Sequence, residues 1–212
     1  MILEGKKINF LGDSITEGHG CKGEENFFSN VLMREAHLAA ARNYGIGGTR
    51  IARQKGDDPA TSRAYCDRFG EMDDDADIIV VFGGTNDYGH GDAPIGTFAD
   101  RTGDTYYGAC HMLMSGLIEK YPAATIVFMT PVHRSNEDTP SYGNGKPLSL
   151  YAEIIREVAA YYALPVLDLY SMSGIQPNHP VMCARYCPDG LHPNAAGHAL
   201  IASRLKGFLE TL

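Results

Sequence analysis

Ser14, Asp189 and His192 are the residues of this chain whose types and spacing offer nucleophilic chemistry. A serine hydroxyl is a weak nucleophile until a base takes its proton, and an imidazole oriented by a carboxylate is suited to take it. In Asp189-Gly190-Leu191-His192-Pro193 a turn can set the acid beside the imidazole. The carboxylate would accept from Nδ1–H and leave Nε2 for the serine. Alone, the same stretch reads more simply as a surface turn and a helix lead-in with Asn194 as cap.

Ser14 lies in Phe10-Leu11-Gly12-Asp13-Ser14-Ile15-Thr16-Glu17-Gly18, where an apolar run ends abruptly in glycine, an acid and two hydroxyls. Residues 8–11 predict a short buried strand, and Gly12 lets the chain turn as it leaves the sheet. Ser14 then sits past a strand's carboxyl end, where ligands bind in open α/β sheets. By itself this too could be an ordinary strand-to-helix turn capped by Asp13, Ser14 or Thr16.

Two glycine-rich stretches offer donors for an oxyanion. In Asn43-Tyr44-Gly45-Ile46-Gly47-Gly48-Thr49-Arg50, Gly48 can present its N–H without a Cβ in the way. In Val81-Phe82-Gly83-Gly84-Thr85-Asn86-Asp87, Asn86 can add a side-chain N–H, and the N–H of Ser14 makes a third donor. The glycine spacing is neither G-x-G-x-x-G nor a loop ending in Gly-Lys-Ser/Thr, so phosphate cradling is the weaker reading. The serine stretch also lacks the second glycine of G-x-S-x-G, which argues against an α/β-hydrolase proper.

In this order, the four stretches resemble the sequence blocks of the SGNH hydrolases, also called the GDSL esterase/lipase family. The resemblance spans Gly12 to His192. It implies Ser14 as nucleophile, Gly48 and Asn86 with Ser14 as the oxyanion hole, and His192 with Asp189 as base and orienter. It also implies a three-layer, flavodoxin-like α/β sandwich on a mostly five-stranded parallel sheet. Members hydrolyse acetylated sugars, lysophospholipids, thioesters and short aryl esters, usually without a metal. Ile15 stands where the eponymous motif has Leu, which leaves the substrate open.

The elements that would position these residues alternate. Strands are expected at 8–11, 42–44, Ile78–Phe82, 125–130 and 166–169, and helices at 105–120, 148–162 and from about Asn194 onward. A further helix, capped by Asn26, is expected to run through Phe27, Phe28, Val31 and Leu32 to the alanines at 39–41. Residues 51–77 form an irregular excursion with a short helix near 61–69. Two long loops, 131–147 and 170–193, follow strands and so face the presumed site. Alternation of this kind implies a parallel sheet with helices on both faces, in one domain spanning 1–212.

The chain has 212 residues and a formal net charge of −8, with no basic cluster, which argues against nucleic acid or an anionic membrane as partner. No apolar run suits a signal peptide or membrane span, and five cysteines fit reduced thiols, so a cytoplasmic protein is expected. Neither cofactor nor metal is expected, since Cys183-x₃-Cys187 with His179 is a weak zinc pattern. Asp13, Arg50, Tyr88 and His133 are candidate substrate contacts, with His90 beside them; Asp13 and Thr16 more simply hold the serine turn. The resulting expectation is a serine esterase for short-chain, chiefly acetyl, esters of carbohydrates or small alcohols, with a homo-oligomer left open. The alternatives are a lysophospholipase or thioesterase on the same machinery, or a non-catalytic carbohydrate-binding domain.

Overall fold

The run Ile78-Ile79-Val80-Val81-Phe82 is apolar at every position because both of its faces are covered. Ile78, Val80 and Phe82 enter one core and Ile79 and Val81 the other. The computed structural model describes residues 1–212. Its strands are β1 (Lys7–Gly12), β2 (Ala40–Gly45), β3 (Ile78–Phe82), β4 (Thr125–Met129) and β5 (Val166–Leu167), all parallel in the order β2-β1-β3-β4-β5. This is the expected five-stranded α/β sheet. Chain order reverses between β1 and β3, the place where such sheets open a crevice for ligands.

Helices α1 (Ser14–Glu17), α2 (Phe28–Ala36), α3 (Tyr65–Arg68), α4 (Thr85–His90), α5 (Tyr106–Lys120), α6 (Leu148–Tyr161), α7 (Leu169–Met172), α8 (Pro180–Tyr186) and α9 (Ala195–Thr211) make up the rest. On one face α5 and α6 pack on Leu11, Ile79, Val81, Ile126 and Phe128; on the other α2 and α9 cover Ile8, Phe10, Val80 and Val127. None of the helices is long and apolar enough to cross a membrane.

The helix expected to reach the alanines at 39–41 instead stops at Ala36, where His37 takes a left-handed φ of 52°. Ala40 and Ala41 join β2, paired with Lys7 and Ile8 of β1, because sheet pairing outweighs alanine's helix propensity. Asn26 is not the cap: it donates to the Lys22 carbonyl, and the first N–H of α2, on Phe28, is accepted by Nδ1 of the buried His198 in α9 at 3.0 Å. The last strand is shorter than expected, since Leu169 already begins α7. Loop 170–193 likewise contains α8.

The irregular excursion 51–77 holds the residue that ties the strand ends together. Arg68 is 3% exposed and meets no carboxylate. Its Nη2 donates to the Gly12 carbonyl at 2.7 Å and to Thr49 Oγ1 at 3.3 Å, its Nη1 to the Tyr44 carbonyl at 2.8 Å, and its Nε to the Arg63 carbonyl at 3.0 Å. One guanidinium thereby joins the ends of β1 and β2 to the loop between β2 and α3. Replacing Arg68 by Met removes four hydrogen bonds to strand-end and loop acceptors and should cost about 3 kcal/mol or more. Urea unfolding of the variant checks this; a loss within about 0.5 kcal/mol, the range of a neutral surface change, would refute it.

Candidate active site

Ser14 opens α1 directly after β1, and its turn admits little variation. A Cβ on Gly12 would lie 1.9 Å from Thr16 Oγ1, so only glycine fits there. Asp13 caps the helix by accepting the Ile15 N–H at 2.9 Å. The serine hydroxyl is then aimed at the C-terminal turn: Ser14 Oγ lies 3.0 Å from His192 Nε2. His192 Nδ1 lies 2.8 Å from Asp189 Oδ2.

The other carboxylate oxygen of Asp189 accepts the backbone N–H groups of Leu191 and His192 at 2.8 and 2.7 Å. Partial burial pushes the Asp189 carboxyl up, but the His192 and Leu191 N–H groups and the imidazole outweigh it and hold it below the ordinary carboxylate value. An ionised Asp189 keeps the proton on Nδ1 and leaves Nε2 as the acceptor that faces the serine.

Gly48 has a φ of +75° and open space where a Cβ would be, and its N–H meets no protein acceptor. Nor does the N–H of Ser14. Asn86 gives one hydrogen of its amide nitrogen to the Thr49 carbonyl at 3.0 Å, which leaves the other. These groups line one cleft of about 540 Å³ with Glu17, His19, Ile46, His90, Arg134, Leu191 and His192. Unpaired donors facing a nucleophile suit an anion that develops during reaction.

The orientation of Asn86 follows from a relay. Arg50 can only donate, and its Nη2 hydrogen-bonds His90 Nδ1. His90 must therefore carry its hydrogen on Nε2, which lies 3.1 Å from Asn86 Oδ1. The amide oxygen is thus occupied and the amide nitrogen is turned to Thr49 and the cleft. Burial, with the charges of Arg50 and Arg134, pushes the His90 imidazole below its ordinary value, so it stays neutral. The spacing of Asn86 and His90, one turn apart on α4, is the signal by which a sequence can reveal the pair.

Asp87 joins the two glycine-rich stretches by accepting the N–H groups of Ile51 and Ala52, each at 3.0 Å. Three of the four candidate substrate contacts do not reach the cleft. Asp13 is 2% exposed and spent on its cap. The Tyr88 hydroxyl is bound between the carbonyls of Asn136 and Thr139, at 2.5 and 3.0 Å. His133 pairs with Glu137 at 2.7 Å and packs on Tyr170. Tyr88 and His133 brace loop 131–147 from inside, as large side chains beneath a long loop commonly must. Arg50 is at the site but through His90. Arg134, which lines the cleft, was not singled out because its surroundings in sequence carry no motif. Cys183 donates to the Cys187 carbonyl at 3.3 Å, and no three His, Cys, Asp or Glu side chains converge in metal-binding geometry.

Burial pushes the Asp13 carboxyl up to about 7, against the Ile15 N–H and with help from the charge of Asp87, itself raised to about 6. The folded chain therefore holds a proton that the unfolded chain releases. The resulting stabilisation is full below about pH 4 and is lost as pH rises towards about 7. Asp13→Asn, which keeps the cap acceptor, should gain melting temperature relative to the wild type between about pH 5 and about pH 8. A constant difference in thermal unfolding across that range would show that Asp13 does not titrate there.

The chain matches the GDSL-like lipase/acylhydrolase family over residues 10–200. No curated protein sequence matches it. Among solved structures it is similar to a protein from Lactobacillus plantarum, with 34% identity, 98% of each chain covered and a TM-score of 0.86. An acetyl xylan esterase shares the fold at 21% identity, with 95% of this chain and 98% of that chain covered and a TM-score of 0.65. A two-domain esterase active on acetylated mannans does so at 22%, covering 99% of this chain and 50% of that chain, with a TM-score of 0.64. With its sheet, its four blocks and the match over 10–200 in agreement, the chain belongs to the GDSL-like lipase/acylhydrolase family.

Proposed function

We propose that the protein is a serine esterase for short-chain esters, acetyl foremost, of carbohydrates or small polar alcohols. The observation that carries this is the aligned series Ser14 Oγ, His192 Nε2, His192 Nδ1, Asp189 Oδ2, at 3.0 and 2.8 Å, beside unpaired donors. Ser14 Oγ attacks the ester carbonyl as His192 Nε2 takes its proton. The oxyanion receives hydrogen bonds from the N–H groups of Ser14 and Gly48 and the amide of Asn86. His192 then protonates the departing alcohol, leaving the acyl group on Ser14. A water, deprotonated by the same Nε2, attacks the acyl-enzyme, and collapse of the second tetrahedral intermediate frees the acid. Asp189 stays ionised throughout and stabilises the imidazolium.

Support for a short acyl chain comes from the cleft lining, where Ile46 and Leu191 are the apolar residues and the rest are polar, charged or glycine. Such walls repay little apolar burial of a long chain. The acetyl esterases that share the fold are consistent with this reading.

Ser14→Ala should lower kcat for p-nitrophenyl acetate by about 10³-fold or more while circular dichroism remains unchanged. An equally active variant would refute Ser14 as nucleophile, and a preference for the octanoate over the acetate ester would refute the short-chain assignment. His90→Leu, which frees Asn86 Oδ1 and lets the amide turn, should lower kcat by about tenfold to 10²-fold with KM little changed, as loss of a transition-state donor does. Steady-state kinetics on the same ester check it; an effect confined to KM would place His90 in substrate binding instead.

A further inference from the structure

Several arginines of this chain are spent in one of two ways. Arg42, Arg53, Arg63 and Arg156 pair with carboxylates, and Arg68 spends its donors on carbonyls and a hydroxyl. Arg134 and Arg50 pair with no carboxylate and leave donors unspent, and both stand beside the oxyanion donors.

Arg134 is held rigidly. Its guanidinium carbon sits 5.4 Å from the centre of the Tyr88 ring, and Nη1 donates to the Thr85 carbonyl at 3.0 Å and to Thr85 Oγ1 at 3.3 Å. The other edge of the fork is unused. Nε is covered by protein and has no partner; Nη2 has no partner either and is open to solvent. Nη2–H is thus the donor of Arg134 that can meet a carboxylate oxygen entering the cleft, through a charge-assisted hydrogen bond.

Arg50 also keeps one end of its guanidinium unpaired, though a different one. Its Nη2 is committed to His90, Nε is covered without a partner, and Nη1 is open and unpaired. It lines a hollow of about 310 Å³ that continues the catalytic cleft past Gly47 and Gly48, with Gln54, Asp57, Asp58 and Arg63 among its walls. Acidic groups also bound the cleft. Glu17 accepts the Gly47 N–H at 2.7 Å and pairs with His19 at 3.2 Å, and Asp189 backs His192 and lies near enough for its charge to act on Arg134. Arg134 offers an anionic ligand an open cationic donor in the cleft, in a protein whose net charge of −8 would otherwise discourage it.

We propose that the physiological ester carries a carboxylate on its non-reacting part, as an acylated sugar acid does, and that Arg134, assisted by Arg50, receives that carboxylate. The inference rests on the esterase reading of the same cleft. Charge-assisted pairing at a partly buried fork should favour such a substrate by about tenfold or more over its neutral counterpart.

The test compares glucuronic acid and glucose acetylated at the same hydroxyl, using wild type, Arg134→Gln and Arg134→Lys, each checked for folding by circular dichroism. The expected result is a wild-type preference in kcat/KM for the glucuronate ester that falls as salt is raised. Arg134→Gln should abolish the preference through KM, and Arg134→Lys should keep part of it. Equal use of the two esters by the wild type, or equal losses on both in Arg134→Gln, would overturn the proposal. Calorimetric titration of Ser14→Ala with glucuronate and with glucose separates binding from turnover. Arg134-dependent binding of glucuronate alone, with no ester hydrolysed by the wild type, would uphold the anion site and sink the esterase. Hydrolysis of the glucose ester without any binding of glucuronate would do the reverse.

Discussion

The bond from Arg68 Nη2 to the Gly12 carbonyl, at 2.7 Å, is the constraint on which the site's geometry rests. Gly12 is the last residue of β1, and Ser14 follows it by one turn's beginning. Through its other donors the same guanidinium holds the end of β2 and Thr49, hence the loop that presents Gly48. A buried cation without a carboxylate is costly unless its donors are satisfied, and here carbonyls at strand ends satisfy them. The nucleophile and one oxyanion donor are therefore fixed against a common centre rather than by their own short segments.

Around that centre the second glycine-rich stretch is added by contacts in both directions. Asn86 donates to the Thr49 carbonyl, and Asp87 accepts from Ile51 and Ala52, so α4 and the preceding loop cannot move independently. The long loops are tied in from above. Ser135 donates to the Gly190 carbonyl at 2.7 Å, and Gln176 reaches Glu137 at 3.2 Å, which links loop 131–147 to the turn that carries Asp189 and His192. Preorganisation of this kind means that donors need not reorganise when charge develops, which is the main electrostatic advantage of a protein site over water.

The cost is carried by buried charge. Asp13 and Asp87 both lie out of water, which raises the proton affinity of each, and the charge of Asp87 raises that of Asp13 further, while Arg134 and Arg50 keep donors unspent. Unsatisfied or strained electrostatics of this sort cluster at functional sites, where the scaffold around them supplies the stability.

Much of this was legible in the order of residues. Short apolar runs identified β1 and β3, helical spacing identified Tyr106–Lys120, and four short stretches named Ser14, Gly48, Asn86, Asp189 and His192, because backbone geometry and local turn chemistry are written in neighbouring residues. The alanines at 40 and 41 were misread as helix, since their pairing partners lie more than thirty residues away in β1. Distance in sequence likewise hid the roles of Arg68 and Arg134, whose partners come from separate strands and loops. It also made Tyr88, His133 and Asp13 look like substrate contacts, when each is turned inward. The sequence alone determined which groups could react and which segments would carry them. Only the tertiary structure decided which side chains face the cleft, because that depends on contacts between distant segments, and no local propensity encodes those.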